Sequence, residues 1–145
     1  DLAVAFPDGA RFVPLAPVAD PTMVASTVAR VLDVREVGGE PLTKRLVAFV
    51  GDKRLLLVLD NFEHVVGAAP LVTGLLTACP GLKVLVTSRG RLRVSGEREF
   101  PVPPLALPAL ADLPAVEEVA RSEAVRLFTE RARAAKPDFA LTVLC

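Results

Sequence analysis

Apolar positions fall along this chain in two kinds of run, and the changes between them mark out the elements. Leu55-Leu56-Leu57-Val58-Leu59 is wholly aliphatic and closes on Asp60. A short apolar run with no polar alternate positions predicts a strand covered on both faces, as in a parallel sheet. Lys83-Val84-Leu85-Val86-Thr87 predicts a second buried strand. Arg11-Phe12-Val13-Pro14-Leu15 predicts a short one, pushed toward an edge because Pro14 has no N–H to give a neighbour. Between the strands the apolar spacing changes to three and four. Met23, Val24, Thr27, Val28, Val31 and Leu32 predict a helix opened by Asp20-Pro21, a capping acceptor followed by proline. Leu42, Leu46, Phe49 and Val50 share one face of a second helix, set between Gly38-Gly39 and Gly51-Asp52. Leu71, Val72, Leu75, Leu76 and Cys79 do the same for a third, over roughly residues 67–79, with Pro70 in its first turn.

The flanks are weaker. Leu2 to Phe6 reads as the last turn of a helix, closed by Pro7-Asp8-Gly9. Glu97-Arg98-Glu99-Phe100-Pro101-Val102 alternates polar and apolar and predicts a half-exposed strand. Residues 103–114 are proline-rich, an extended connector. Ser122 caps a last helix bearing Val125, Leu127, Phe128 and Ala132, which Lys136-Pro137-Asp138 ends. Glu117, Glu118 and Glu123 mark a solvated helix start. The resulting order, strand–helix–helix–strand–helix–strand–strand–helix, predicts an α/β fold with parallel crossovers.

Composition narrows the function classes. The chain has 145 residues, 52% of them apolar and 23% charged, which suits one globular domain's worth of core. Its formal net charge is zero, so no overall attraction to nucleic acid or an anionic membrane is implied. Trp and Tyr are absent, leaving little for a base-stacking platform, and no clear recognition helix favours a DNA-binding piece. No apolar run approaches the roughly 20 residues of a membrane span, and the first residues given do not resemble a signal peptide. With only Cys79 and Cys145, reduced cytoplasmic thiols are expected. His64 is the single histidine, which rules out a His-based metal cluster or triad within the chain.

Candidate chemistry gathers where the two buried strands end. Ligands in open α/β sheets collect outside the carboxyl ends of the strands. Asp60 stands there and can hold a hydrated magnesium ion; its plainer reading is a turn or cap acid. The second strand ends in Thr87-Ser88-Arg89, and the Arg89 guanidinium suits a phosphate oxygen. Its plainer reading is a surface arginine in a basic loop that also holds Arg91 and Arg93.

Leu55–His64 resembles the Walker B segment of the large bacterial signalling ATPases related to the NB-ARC group, of AAA+/STAND type. Val84–Arg89 resembles that group's first sensor strand, and Phe12–Ala16 before Asp20-Pro21-Thr22 its second strand. Phe100–Leu105 and Glu123–Phe128 resemble its exit into a small helical domain. The resemblance covers nearly the whole chain in order. It implies a three-layer parallel sheet of the P-loop NTPase type, truncated at its N-terminal strand and followed by the start of a helical lid. Residues 1–108 would be a partial nucleotide-binding domain and 109–145 a linker and first lid helix. It implies ATP or ADP with Mg2+ as cofactors of the complete domain, Asp60 as the metal residue, and Asp60, Asn61, Thr87, Ser88 and Arg89 as nucleotide-site residues. Asn61 occupies the position where many P-loop enzymes carry a second, water-polarising acid, and it cannot act as a base. Glu63 joins Asp60 as the candidate catalytic group if the loop curls back, its plainer reading being a solvated loop glutamate, and turnover is expected to be slow.

The sequence departs from that group in one large respect. No G-x-x-x-x-G-K-[ST] occurs, so the backbone cradle for phosphates is missing from this chain. The resemblance would put that loop just upstream, and its strand between Val84–Thr87 and Arg98–Val102. The expectation is an incomplete ATPase module that binds nucleotide weakly alone, with poor order around Arg98–Val102 or self-association through an open strand edge. Partners would be the rest of a parent chain, with no membrane and no direct nucleic-acid contact. The alternative is a non-catalytic α/β interaction scaffold that offers the Arg89–Arg93 loop to an acidic partner.

Overall fold

The computed structural model describes residues 2–35, 38–108 and 115–142, which form two compact units, one running to Glu99 and one from Phe100. In the first, α1 (Leu2–Ala5) turns into β1 (Ala10–Pro14), and a 3-10 turn at Pro21–Met23 opens α2 (Val24–Val31). α3 (Leu42–Val50), β2 (Leu56–Asp60), 3-10 turns at Phe62–His64 and Val66–Ala68, α4 (Ala69–Ala78) and β3 (Lys83–Val86) follow. The strands make one parallel sheet in the order β1-β2-β3, with Phe12 beside Val58 beside Leu85 and Val13 beside Leu59 beside Val86. Parallel neighbours need crossovers, and α2 with α3, then α4, supply them. The Asp20 carboxylate accepts the Thr22 N–H at 2.9 Å, and that bond holds its carboxyl below the ordinary range. Pro70 takes an early position in α4, where its missing N–H is no loss.

The core lies between this sheet and the helices. Val13, Leu57 and Leu59 are buried with Val24 and Val28 of α2, Leu46 and Val50 of α3, and Val72 and Leu75 of α4. Helix α3 touches both α2 and α4, so the helices form a continuous layer. The opposite face is different. Leu56 and Val58 are half-buried, and in their row Phe12 is 57% and Leu85 55% exposed. The expectation of a strand covered on both faces, in a three-layer sheet, therefore needs correction for the described residues. β2 is the middle strand, so β1 and β3 shield Leu56 and Val58 from the sides and allow aliphatic residues without a second helix layer.

A second correction concerns residues 97–102, which form no strand among the described residues. The Glu97 carboxylate turns back and accepts the N–H groups of Leu92, Arg93 and Val94, at 2.9, 2.7 and 3.4 Å. Pro101 and Pro103 then have no N–H to offer a ladder. No described helix is long and apolar enough to cross a membrane.

In the second unit, residues 100–108 carry no helix or strand, and α5 (Val116–Val119) and α6 (Glu123–Ala135) follow; residues 109–114 of the expected connector lie outside the described residues. Ser122 caps α6 by accepting the Val125 N–H at 3.4 Å. Glu123 is more than a solvated acid, because it accepts the Ala106 N–H at 3.2 Å. Phe128 and Phe139 meet edge to face at 5.8 Å.

Candidate functional site

β2 and β3 run side by side in the same direction, so their carboxyl ends deliver Asp60 and Thr87 to one rim. Side chains alternate along a strand, which puts Asp60 on the same, less buried face as Leu56 and Val58. The rim is closely tied. Leu15 N–H donates to the Asp60 carbonyl at 2.9 Å, and Phe62 N–H donates to the Thr87 carbonyl at 3.0 Å. The Thr87 hydroxyl donates to Asp60 Oδ1 at 2.6 Å and accepts the Asn61 N–H at 2.9 Å. Between these anchors Asn61 adopts a left-handed backbone, φ 62° and ψ 55°, which Asn tolerates better than most residues.

Arg89 and Glu63 meet across the same rim. The Arg89 Nε stands 3.6 Å from Glu63 Oε1, with the Arg89 side chain 91% exposed and that of Glu63 27% exposed. An exposed pair of this kind is worth about 0–1 kcal/mol, so Arg89 is held loosely. Ser88 does not turn to Asp60; its hydroxyl accepts the Gly90 N–H at 3.2 Å and shapes the start of the basic loop. The sequence-derived residues Asp60, Asn61, Glu63, Thr87 and Arg89 are thus brought together, and Ser88 supports the loop beside them.

Sequence reasoning missed several contributors. Leu15 has no polar side chain, yet its backbone holds both the Asp60 carbonyl and His64, whose Nε2 lies 3.0 Å from the Leu15 carbonyl oxygen. Glu97 looked like one alternate residue of a strand, and nothing local marks it as the organiser of the basic loop. The Leu92 N–H first, then those of Arg93 and Val94 and the Arg91 charge, keeps its carboxyl below the ordinary range. Arg91 in turn pairs with Glu99. Only the Arg–Glu–Gly density of the segment was available as a signal.

The donor set can be tested against the implied magnesium. No group of three or more His, Cys, Asp and Glu suited to a metal occurs among the described residues. Asp60 has one carboxylate oxygen committed to Thr87, leaving Oδ2 for a cation or its water. That fits magnesium, which keeps most of its waters and takes one or two carboxylates, with phosphates completing the shell. It does not fit a cation caged by protein alone. A cavity of 540 Å3 lined by Asp33, Val34, Arg35, Glu40, Arg45, Ala48 and Phe49 shares none of the rim residues.

The chain is similar to two sets of mycobacterial proteins. It is 38% identical over 135 residues to a Mycobacterium bovis protein named "Putative HTH-type transcriptional regulator", and equally to one of that description from Mycobacterium tuberculosis. The match covers 92% of this chain and 14% of each regulator. It is 34% identical over 128 residues to an uncharacterized Mycobacterium bovis protein, covering 88% of this chain and 29% of that one. The chain thus spans a small part of the length of the relatives it matches. No family model matches, and no solved structure matches significantly.

Proposed function

We propose that this chain is the central part of a nucleotide-responsive switch in a multidomain transcription regulator. The observation that carries the reading is the convergence of Asp60, Thr87 and the Glu63–Arg89 pair at the carboxyl ends of two adjacent parallel strands. The regulator context is supported by the names of the longer relatives. Asp60 would hold a hydrated magnesium ion through Oδ2, and that ion, when bound, neutralises phosphate charge. Arg89 is exposed and weakly held, so its guanidinium is free to exchange Glu63 for a terminal phosphate oxygen. Asn61 stands where many P-loop enzymes carry the water-polarising acid and cannot act as a base, so the rim residues are poorly arranged to deprotonate water. A slow ATPase that reports nucleotide state suits them better than a rapid one, and ordering a rim on phosphate contact is an established type of switch. The phosphate cradle would come from outside this chain.

The test uses a polypeptide extended upstream from the same gene. Asp60→Ala is expected to abolish magnesium-dependent ATP or ADP binding in calorimetry. Unchanged magnesium dependence would sink the role given to Asp60. One observation favours a second reading, the non-catalytic scaffold: Glu97 fixes an exposed loop that presents Arg89, Arg91 and Arg93, a shape suited to an acidic partner. If the extended polypeptide binds no nucleotide, that reading takes over.

A further inference from the structure

Three groups of Thr87 make four hydrogen bonds to the end of β2 and the turn after it. Its N–H donates to the Leu59 carbonyl at 3.0 Å and its carbonyl accepts the Phe62 N–H at 3.0 Å. These two backbone bonds are open to any residue except proline. The other two are chemically selective. The hydroxyl donates to Asp60 Oδ1 at 2.6 Å and accepts the Asn61 N–H at 2.9 Å, so the side chain must be donor and acceptor at once. Among small side chains only Ser and Thr do this well. The short distance is that of an O–H bonded to a carboxylate, among the stronger neutral-to-charged bonds. A strand pairing needs neither bond. Both fall instead on Asp60 and on Asn61, whose left-handed backbone (φ 62°) needs a tertiary hold to persist.

We infer that Thr87 is a positioning residue, whose hydroxyl holds the Asp60 carboxylate by Oδ1 and leaves Oδ2 for a cation, and pins the left-handed Asn61 turn that lets the chain leave the rim. The sequence resemblance placed Thr87 among the nucleotide-site residues. The geometry commits the hydroxyl's one proton and one of its two lone pairs to the protein. The cation part of this inference rests on the magnesium reading of Asp60; the pinning of Asn61 does not. Thr87 stands to Asp60 as an outer-shell partner stands to a metal ligand, and loss of such a partner weakens metal binding by at least about tenfold.

The test uses this chain, with Mn2+ alone as the probe. Mn2+ is expected to broaden the amide signals of Asn61, Phe62 and Thr87, and Asp60→Asn is expected to remove the effect. Thr87→Val keeps the shape and deletes the hydroxyl; it should shift the Mn2+ titration by about tenfold and speed hydrogen exchange at the Asn61 amide, with Phe62 still protected. Thr87→Ser should restore both. A purely structural role would lower the melting temperature of Thr87→Val and leave the Mn2+ titration unmoved. If Asp60→Asn changes nothing, or Mn2+ broadens nothing near Asp60, the magnesium reading fails and the Asn61 exchange rate alone decides on Thr87. If Thr87→Val exchanges at Asn61 like the unsubstituted chain and titrates alike, the inference is overturned.

Discussion

Glu97 shows how much one carboxylate can set at this rim. Its two oxygens gather the N–H groups of Leu92, Arg93 and Val94, and Arg93 (φ 58°) and Gly96 (φ 78°) take left-handed backbones to make that possible. Those bonds favour the ionised form, so the folded carboxyl titrates below its unfolded counterpart. The linkage sign follows: the contribution is complete above the unfolded value and is lost as pH falls through the folded one. Amide protection at Leu92 and Arg93 should therefore stay level from neutral pH down to about 4.5, then collapse below the ordinary glutamate range. Exchange rates followed by NMR read this directly. Glu97→Ala, which removes both acceptor oxygens, should show the unprotected rates already at pH 7; protection that survives strong acid, or the substitution, would refute the assignment.

At the scale of elements, the connection from α4 to β3 is limited by space. Gly81 packs so closely on the chain before β2 that a Cβ there would lie 2.5 Å from the Lys53 carbonyl oxygen and 3.2 Å from that of Asp52. Both neighbours are backbone and cannot swing aside. Gly81→Ala should cost about 1–3 kcal/mol in urea unfolding, the range for overpacking a tight site. Gly90, around which a Cβ meets nothing within 4 Å, should tolerate alanine to within about 0.5 kcal/mol. An equal cost at both positions would refute the close-approach argument. The same scale shows what the sequence could reveal. The strand of Leu56–Asp60 and the caps at Asp20 and Ser122 were legible because run length and capping chemistry are local. The half-open face at Leu56 and Val58 was not, since shielding by flanking strands and burial under a helix both select aliphatic residues. The meeting of Asp60 with Thr87 followed from strand adjacency, but the hydroxyl's two bonds did not. Glu97 stayed hidden because alternation in its segment imitates a strand while its carboxylate serves backbone three to five residues earlier.

Taken as a whole, the molecule leaves one side of its sheet in a state that other copies can meet. β3 is an edge, with no strand on its outer side among the described residues, and Lys83 guards only one end of it. The row Phe12–Val58–Leu85 runs across the half-open face to that edge. A copy adding its own β3 there would extend both the ladder and the apolar row, and a formal net charge of zero sets up no general repulsion between copies. This chain should accordingly self-associate, with a sedimentation mass that rises with concentration. Leu85→Lys places a second cation on the edge strand, the device by which natural edges are blunted, at a position already 55% exposed. It should return the chain to a monomer while changing unfolding stability by less than about 0.5 kcal/mol. Phe128→Ser, at an exposed position in the second unit, should leave association untouched if β3 is the contact. A monomer at every concentration, or dissociation by Phe128→Ser and not by Leu85→Lys, would move the contact away from the sheet.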